Sequence, residues 1–181
     1  MNAQDIPTNK QTKLQAEIGT RITGIIGGHI EWIQSEGAFY TIRTDGTRIP
    51  FEAEASGYKK LGFLGLLVAS GQLKPGTILF WDEPENSLNP ELLSTLADIL
   101  LDLSYNGVQI FITTHCELLA SYFAVNRKNI DDVLYTSLYK DGAFIKVISD
   151  NRFDLLEPNT LTAEPVKLYK KEIVRGLGGN A

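Results

Sequence analysis

The chain has 181 residues, with 17 Lys+Arg against 22 Asp+Glu and a formal net charge of -5. An apolar fraction of 43% with 22% charged residues excludes a disordered chain, and a pI near 5.1 excludes a uniformly basic nucleic-acid coat. A single cysteine, Cys116, excludes an intrachain disulfide framework. The opening MNAQDIPTNKQTKLQ has no apolar signal core, and the longest apolar stretch, LGFLGLLVA, is about half a membrane span. A cytoplasmic protein without membrane insertion is expected.

The first twenty or so residues are polar, with a helical pattern in KLQAEIG. From Arg21 to Phe51 the runs ITGIIGG, HIEWI, AFYTIRT and TRIPF are β-branched and aromatic, separated by Gly27-Gly28, Glu36-Gly37 and Asp45-Gly46. Turn dipeptides between such runs predict an antiparallel β region. In SGYKKLGFLGLLVASGQL, Leu61, Leu64, Leu67 and Val68 recur at helical spacing, with Ser56 in the N-cap position.

After the loop Lys74-Pro75-Gly76, TILFWD reads as a strand buried on both faces and ending in an acid. Asn89-Pro90 opens a helix whose core stripe is Leu92, Leu93, Leu96, Ile99, Leu100 and Leu103, and Asn106-Gly107 ends it. VQIFITT is a second buried strand, so the order strand, helix, strand predicts a parallel βαβ unit. CELLASYF reads as a short helix, DVLYTSLY and AFIKVIS as a hairpin turning at Lys140-Asp141-Gly142, and EPVKLYKKEIV as an amphipathic helix before a flexible GLGGN end. The fold class is α/β, with a parallel core sheet, helices and an antiparallel β region.

The chemistry concentrates at TILFWDEPENSLNP. In open α/β sheets ligands collect at the carboxyl ends of strands, and here Asp82 and Glu83 stand at one. Asp82 suits Mg²⁺, directly or through a water. Glu83 can position or deprotonate a water that attacks a γ-phosphate. A polar strand end is the plain alternative for such a pair taken alone. Three companions favour chemistry. His115 ends the second buried strand, one crossover away, where it can donate to a phosphate oxygen. Ser56-Gly57 opens a helix whose N–H groups and dipole suit phosphate, with Lys59 and Lys60 adding charge. The third companion is the order of these pieces along the chain.

At these residues the chain resembles the C-terminal half of an ABC-type ATPase head. It is similar to the AAA/ABC-like group that includes overcoming-lysogenization-defect proteins, DNA-repair ATPases and bacterial defence ATPases. ASGYKKL resembles the ABC signature, ILFWDEPE resembles Walker B with its following glutamate, NSLNP resembles the D-loop, and TTH resembles the switch histidine. The likeness is strongest from Ser56 to His115 and extends over the flanks.

The resemblance implies P-loop NTPase architecture, ATP with Mg²⁺, and hydrolysis at a composite site between two heads, hence a dimer. It implies that Asp82 orients Mg²⁺, Glu83 handles water, and His115 contacts the γ-phosphate in cis. Ser56 and Gly57 would contact the γ-phosphate of ATP held by the opposite head, Lys59 and Asn89 would complete the nucleotide-binding set, and Asn86 to Asn89 would line the interface.

The chain departs from that pattern in two respects. No G-x-x-x-x-G-K-[ST] occurs in it, and GIIGGH has neither the Lys nor the Ser/Thr. No glutamine loop is identifiable. The expected organisation is one C-terminal portion over 1–181: a β region at 21–55, a signature, Walker B and switch-histidine core at 56–125, and a hairpin and helix at 126–181. The expected partner is a Walker A-bearing half or a homologous head. The alternative is a non-catalytic dimerisation module built on the same surfaces.

Cys116 beside His115 has no companions that would make a metal site, since the chain has one Cys and two His. Trp32 and Trp81 read as core and strand residues. Lys167, Lys170, Lys171 and Arg175 read as a solvated helix face, with contact to nucleic acid or an effector subunit as the alternative.

Overall fold

In the computed structural model, which describes residues 12–177, the first helix starts at a capping box. The Thr12 hydroxyl accepts from the Gln15 N–H, and the Gln15 side chain accepts from the Thr12 N–H. Helix α1 (Lys13–Ile26) buries Ile18, Ile22 and Ile26 along one face. ITGII is therefore helical, where its β-branched residues predicted strand. The spacing of the three buried isoleucines outweighs a strand preference that depends mainly on context. Gly27, left-handed at φ 64°, stops the helix.

The antiparallel region starts at Gly28. Strands β1 (Gly28–Ile33), β2 (Ala38–Arg43) and β3 (Arg48–Pro50) pair in chain order, turning through Gly37 and Gly46. Gly28 is obligatory, because a Cβ there would lie 2.2 Å from the Ile42 carbonyl oxygen. In the second turn Asp45 accepts from the Thr47 N–H at 2.8 Å, which holds its carboxyl below the ordinary range.

Helix α2 (Ser56–Ala69) buries Leu61, Leu64 and Val68, while Leu67 is only half-buried. Ser56 is not the cap. The cap residue is Ala55, whose N–H is taken by Glu54 Oε1 at 3.0 Å, so Ser56 already lies in the first helical turn. Gly65 lets Ile22 of α1 approach closely. Gln15 Nε2 also donates to the Val68 carbonyl at 2.9 Å.

Strands β4 (Ile78–Asp82) and β5 (Gln109–Thr113) run parallel, in register from Ile78 opposite Gln109 to Asp82 opposite Thr113. Between them, Asn89 caps a 3₁₀ turn (Pro90–Leu92), and helix α3 (Leu93–Tyr105) follows. Its Leu93, Leu96, Ile99, Leu100 and Leu103 are buried. The predicted βαβ unit is thus present.

The expectation of strands buried on both faces is corrected. Leu79, Trp81, Ile110 and Ile112 are half-buried on one face. On the other, Ile78, Phe80 and Phe111 are 54%, 74% and 45% exposed, and the two phenylalanine rings stack at 4.9 Å. Continuous apolar runs mark two-sided strands, but a side chain is buried only where some element covers it.

The chain divides into two compact units, Met1–Thr114 and His115–Ala181. In the second, helix α4 (Glu117–Asn126) matches CELLASYF, and β6 (Tyr135–Asp141) pairs with β7 (Phe144–Asp150) as the predicted hairpin. Helix α5 (Thr160–Gly176), capped by Asn159, is the predicted amphipathic helix. Lys167 pairs with Glu164 on its exposed surface. The polar first eleven residues, and the GLGGN end from Gly178 on, lie outside the described residues.

Tyr135 is buried, and its hydroxyl donates to the Ala120 carbonyl at 3.2 Å. Burial pushes the phenol up to about 12, which the nearby Arg127 charge opposes. A raised pKa favours the neutral form in the fold. Its contribution to stability is therefore complete below the unfolded value of about 10 and is lost as pH rises through about 12. An alkaline ultraviolet titration is expected to show a late tyrosinate step that Tyr135→Phe removes. If that step persists in the variant, it belongs to another residue.

Candidate active site

The carboxyl ends of β4 and β5 define the site. Each strand places a polar residue last, and the parallel register sets Asp82 beside Thr113. The Thr113 hydroxyl donates to Asp82 Oδ1, orienting that carboxylate. The Glu83 N–H donates to the Thr113 carbonyl at 3.1 Å, with the Thr113 hydroxyl at 3.4 Å, so the chain stays tied to β5 as it leaves β4. Asp82 lies on the same sheet face as Phe80 and Phe111, because strand side chains alternate.

Beyond β4 the backbone is strained. Glu83 and Ser87 are the non-glycine residues with positive φ among those described, at 43° and 68°. Buried Pro84 separates Glu83 from Glu85. Glu85 Oε1 accepts from the Thr114 hydroxyl at 2.5 Å, while its Oε2 is buried without a hydrogen-bond partner among the described residues. Within the loop the Asn86 N–H donates to the Glu83 carbonyl at 3.1 Å, and the Leu88 N–H to the Glu85 carbonyl at 3.0 Å. Asn86 Nδ2 reaches Glu83 Oε2 at 3.5 Å, which points the candidate water-handling carboxylate.

The start of α2 meets this loop. A Cβ on Gly57 would lie 2.4 Å from the Ser87 carbonyl oxygen and 2.8 Å from Leu88 Cδ2. The glycine thus permits close packing within this chain, whatever it offers a phosphate. Lys59 donates to the Glu52 carbonyl at 2.7 Å and Lys60 to the Glu83 carbonyl at 2.5 Å, so each ammonium has a backbone partner. Ser56 is exposed in the first turn of the helix. Asn89 accepts from the Glu91 N–H at 3.1 Å and caps the turn into α3. His115 is the first residue of the second unit, directly after Thr114.

The structure therefore joins Asp82, Glu83 and Gly57 through one loop, with Asn89 at its far end. Sequence reasoning did not single out Thr113, Thr114 and Glu85. The available signal was two hydroxyl residues ending VQIFITT opposite the strand that ends in Asp82.

Among the described residues no cluster of three or more His, Cys, Asp or Glu forms a ready metal cage. Mg²⁺ needs no such cage, since it usually takes one or two protein carboxylates and fills its shell with waters and phosphate oxygens. An exposed Asp82 held by Thr113 fits such a role. No described helix is long and apolar enough to cross a membrane.

The parallel strand pair ending in an acid and joined by a helix, the antiparallel sheet and the further helices make an α/β fold, one the chain shares with SMC ATPase heads. The chain belongs to the family described as "AAA domain, putative AbiEii toxin, Type IV TA system", whose model matches residues 5–121. No curated protein is matched by the sequence.

Among solved structures, the chain is similar to an SMC ATPase described in terms of ATP-driven dimerization and DNA-stimulated activation. The TM-score is 0.56 and the identity 14%, over 88% of this chain and 92% of that one. An SmcHead bound to the C-winged helix domain of ScpA gives 0.56 and 18%, over 76% of this chain and 41% of the other. The Smc head from Pyrococcus furiosus, bound to the C-terminal domain of ScpA, gives 0.55 and 14%, over 87% of this chain and 37% of that one. The chain thus spans about two fifths of the length of the latter two. At such identities the likeness is one of fold. The family is one of ABC/AAA-like ATPase domains.

Proposed function

We propose that the chain is the C-terminal portion of an ABC-type ATPase head, which hydrolyses ATP once a Walker A-bearing segment or partner completes it. The observation that carries this reading is Asp82, oriented by Thr113 at the end of a parallel strand, with Glu83 next to it in a strained loop. Asp82 would hold Mg²⁺, which when bound offsets phosphate charge. Glu83 would orient or deprotonate the attacking water, with Asn86 steering its carboxylate.

His115 would donate to the γ-phosphate in the same head. Ser56, Gly57 and Lys59 would face ATP held by an opposing head, making the site composite and the working form a dimer. The uncovered face of Ile78, Phe80 and Phe111 supports completion by further polypeptide, since parallel sheets are covered on both sides. The reading places the protein in the cytoplasm, where ATP and Mg²⁺ are supplied. DNA repair or phage defence is the preferred setting, with nucleic acid or an effector subunit as a further partner.

A second reading is an interaction module that keeps these surfaces for dimerisation only. The same exposed face favours it, because covering that face requires no chemistry. Calorimetric titration of the purified chain with Mg²⁺-ATP addresses the incomplete site directly. Negligible binding is expected, because the sequence holds no G-x-x-x-x-G-K-[ST] motif. Strong binding lost on Asp82→Ala would overturn the incomplete-head reading in favour of a self-sufficient nucleotide-binding domain.

A further inference from the structure

We infer that Lys60, together with Gly57, clamps the loop from Glu83 to Leu88 and holds Glu83 and Ser87 in left-handed backbone. Lys60 is then a positioning residue for the Glu83 carboxylate. Two observations converge on this. Glu83 and Ser87 occupy backbone conformations that non-glycine side chains rarely adopt, at φ 43° and 68°. Such strain persists only where the surroundings enforce it. Both residues are contacted from the first turns of α2. Lys60 Nζ donates to the Glu83 carbonyl at 2.5 Å, and Gly57 packs against the Ser87 carbonyl at a distance that excludes any side chain.

The Glu83 carbonyl is a shared acceptor. It takes the Lys60 ammonium from one side and the Asn86 N–H, at 3.1 Å, from within the loop. A charge-assisted donor on that oxygen fixes the peptide plane after Glu83, which sets its ψ and the direction in which Pro84 and Glu85 leave. The other side of Glu83 is fixed by its N–H on Thr113. With both flanking peptides held, the Cα–Cβ bond of Glu83 has one direction. A lysine at position 60 thus does more than add positive charge near a phosphate. It makes the start of α2 and the carboxylate loop one mechanical piece, so displacement of α2 by an opposing surface would be felt at Glu83. The catalytic meaning of the clamp rests on the role proposed for Glu83, whereas the clamp itself does not.

Amide hydrogen exchange on the purified chain, without nucleotide, tests it. Lys60→Met is expected to speed exchange at Asn86 and Leu88 by about tenfold, as loss of a charge-assisted hydrogen bond does, with α3 amides unaffected. Lys60→Arg should restore most of the protection.

The sharper arm uses Glu83→Gly, which relieves the left-handed strain. In that background Lys60→Met should have little further effect. Equal acceleration in both backgrounds, or none from Lys60→Met alone, would overturn the clamp. Should Lys60→Met fail to fold, the proposal expects adding Glu83→Gly to recover folding, and failure to recover would overturn it equally. Because no turnover is measured, an inert Glu83 in an ATPase assay would remove the role given to that residue and leave the exchange result standing.

Discussion

Glu54→Ala is expected to cost the first unit about 1.5–3 kcal/mol, the usual worth of hydrogen bonds to a charged group, since Glu54 is buried while Arg43 keeps 21% exposure. The Glu54 side chain is 5% exposed and takes two hydrogen bonds from Arg43 Nη2, at 3.0 and 2.8 Å. Arg43 Nη1 also donates to the Ile26 carbonyl at the end of α1, and Glu54 Oε1 accepts the Ala55 N–H that opens α2. One ion pair therefore ties the end of α1, strand β2 and the start of α2 together. Removing the carboxylate takes the ion-pair partner from Arg43 and the acceptor from the Ala55 amide.

Urea unfolding followed by tryptophan fluorescence reads this unit, since Trp32 and Trp81 both precede Thr114. The paired change Arg43→Met with Glu54→Leu should recover most of the loss, because apolar replacements of similar volume are often neutral. A Glu54→Ala midpoint equal to the parent's would show that the pair contributes nothing.

In the completed head proposed above, Glu83→Gln is expected to slow ATP turnover by at least about 10²-fold, the range general-base contributions occupy, while ATP binding is retained. Glutamine keeps the shape of the side chain and a carbonyl oxygen for Asn86 Nδ2, so the loop should survive. It loses the charge and basicity that a water-activating group needs. Single-turnover rates with nucleotide binding measured in parallel separate the two effects. Unchanged turnover would remove Glu83 as the base. A joint loss of binding and turnover would mark the residue as structural.

Much of this was legible in the residues. Asn89-Pro90 opens a helix because asparagine caps and proline is preset for the first turn, and the capping hydrogen bond is present. The stripe through α3 and the glycine at its end also read correctly. The pairing of β4 with β5 followed from their order around a helix. ITGII misread because β-branched residues serve either element, and only the burial of Ile18, Ile22 and Ile26 against the rest of the unit decides. Ser56 misread because the true cap lies one residue earlier, where a buried glutamate supplies the acceptor.

The sequence by itself determined what is local or periodic: turns at glycines, the helix stripes, the apolar strands and the acid pair that ends one of them. These depend on neighbours a few residues away. Only the tertiary structure decided three things. It left Phe80 and Phe111 uncovered. It drove Glu83 and Ser87 into left-handed backbone, and it brought Lys60 to the Glu83 carbonyl across 23 positions. Exposure, strain and long-range hydrogen bonds are set by which elements meet, and no short window of residues carries that information.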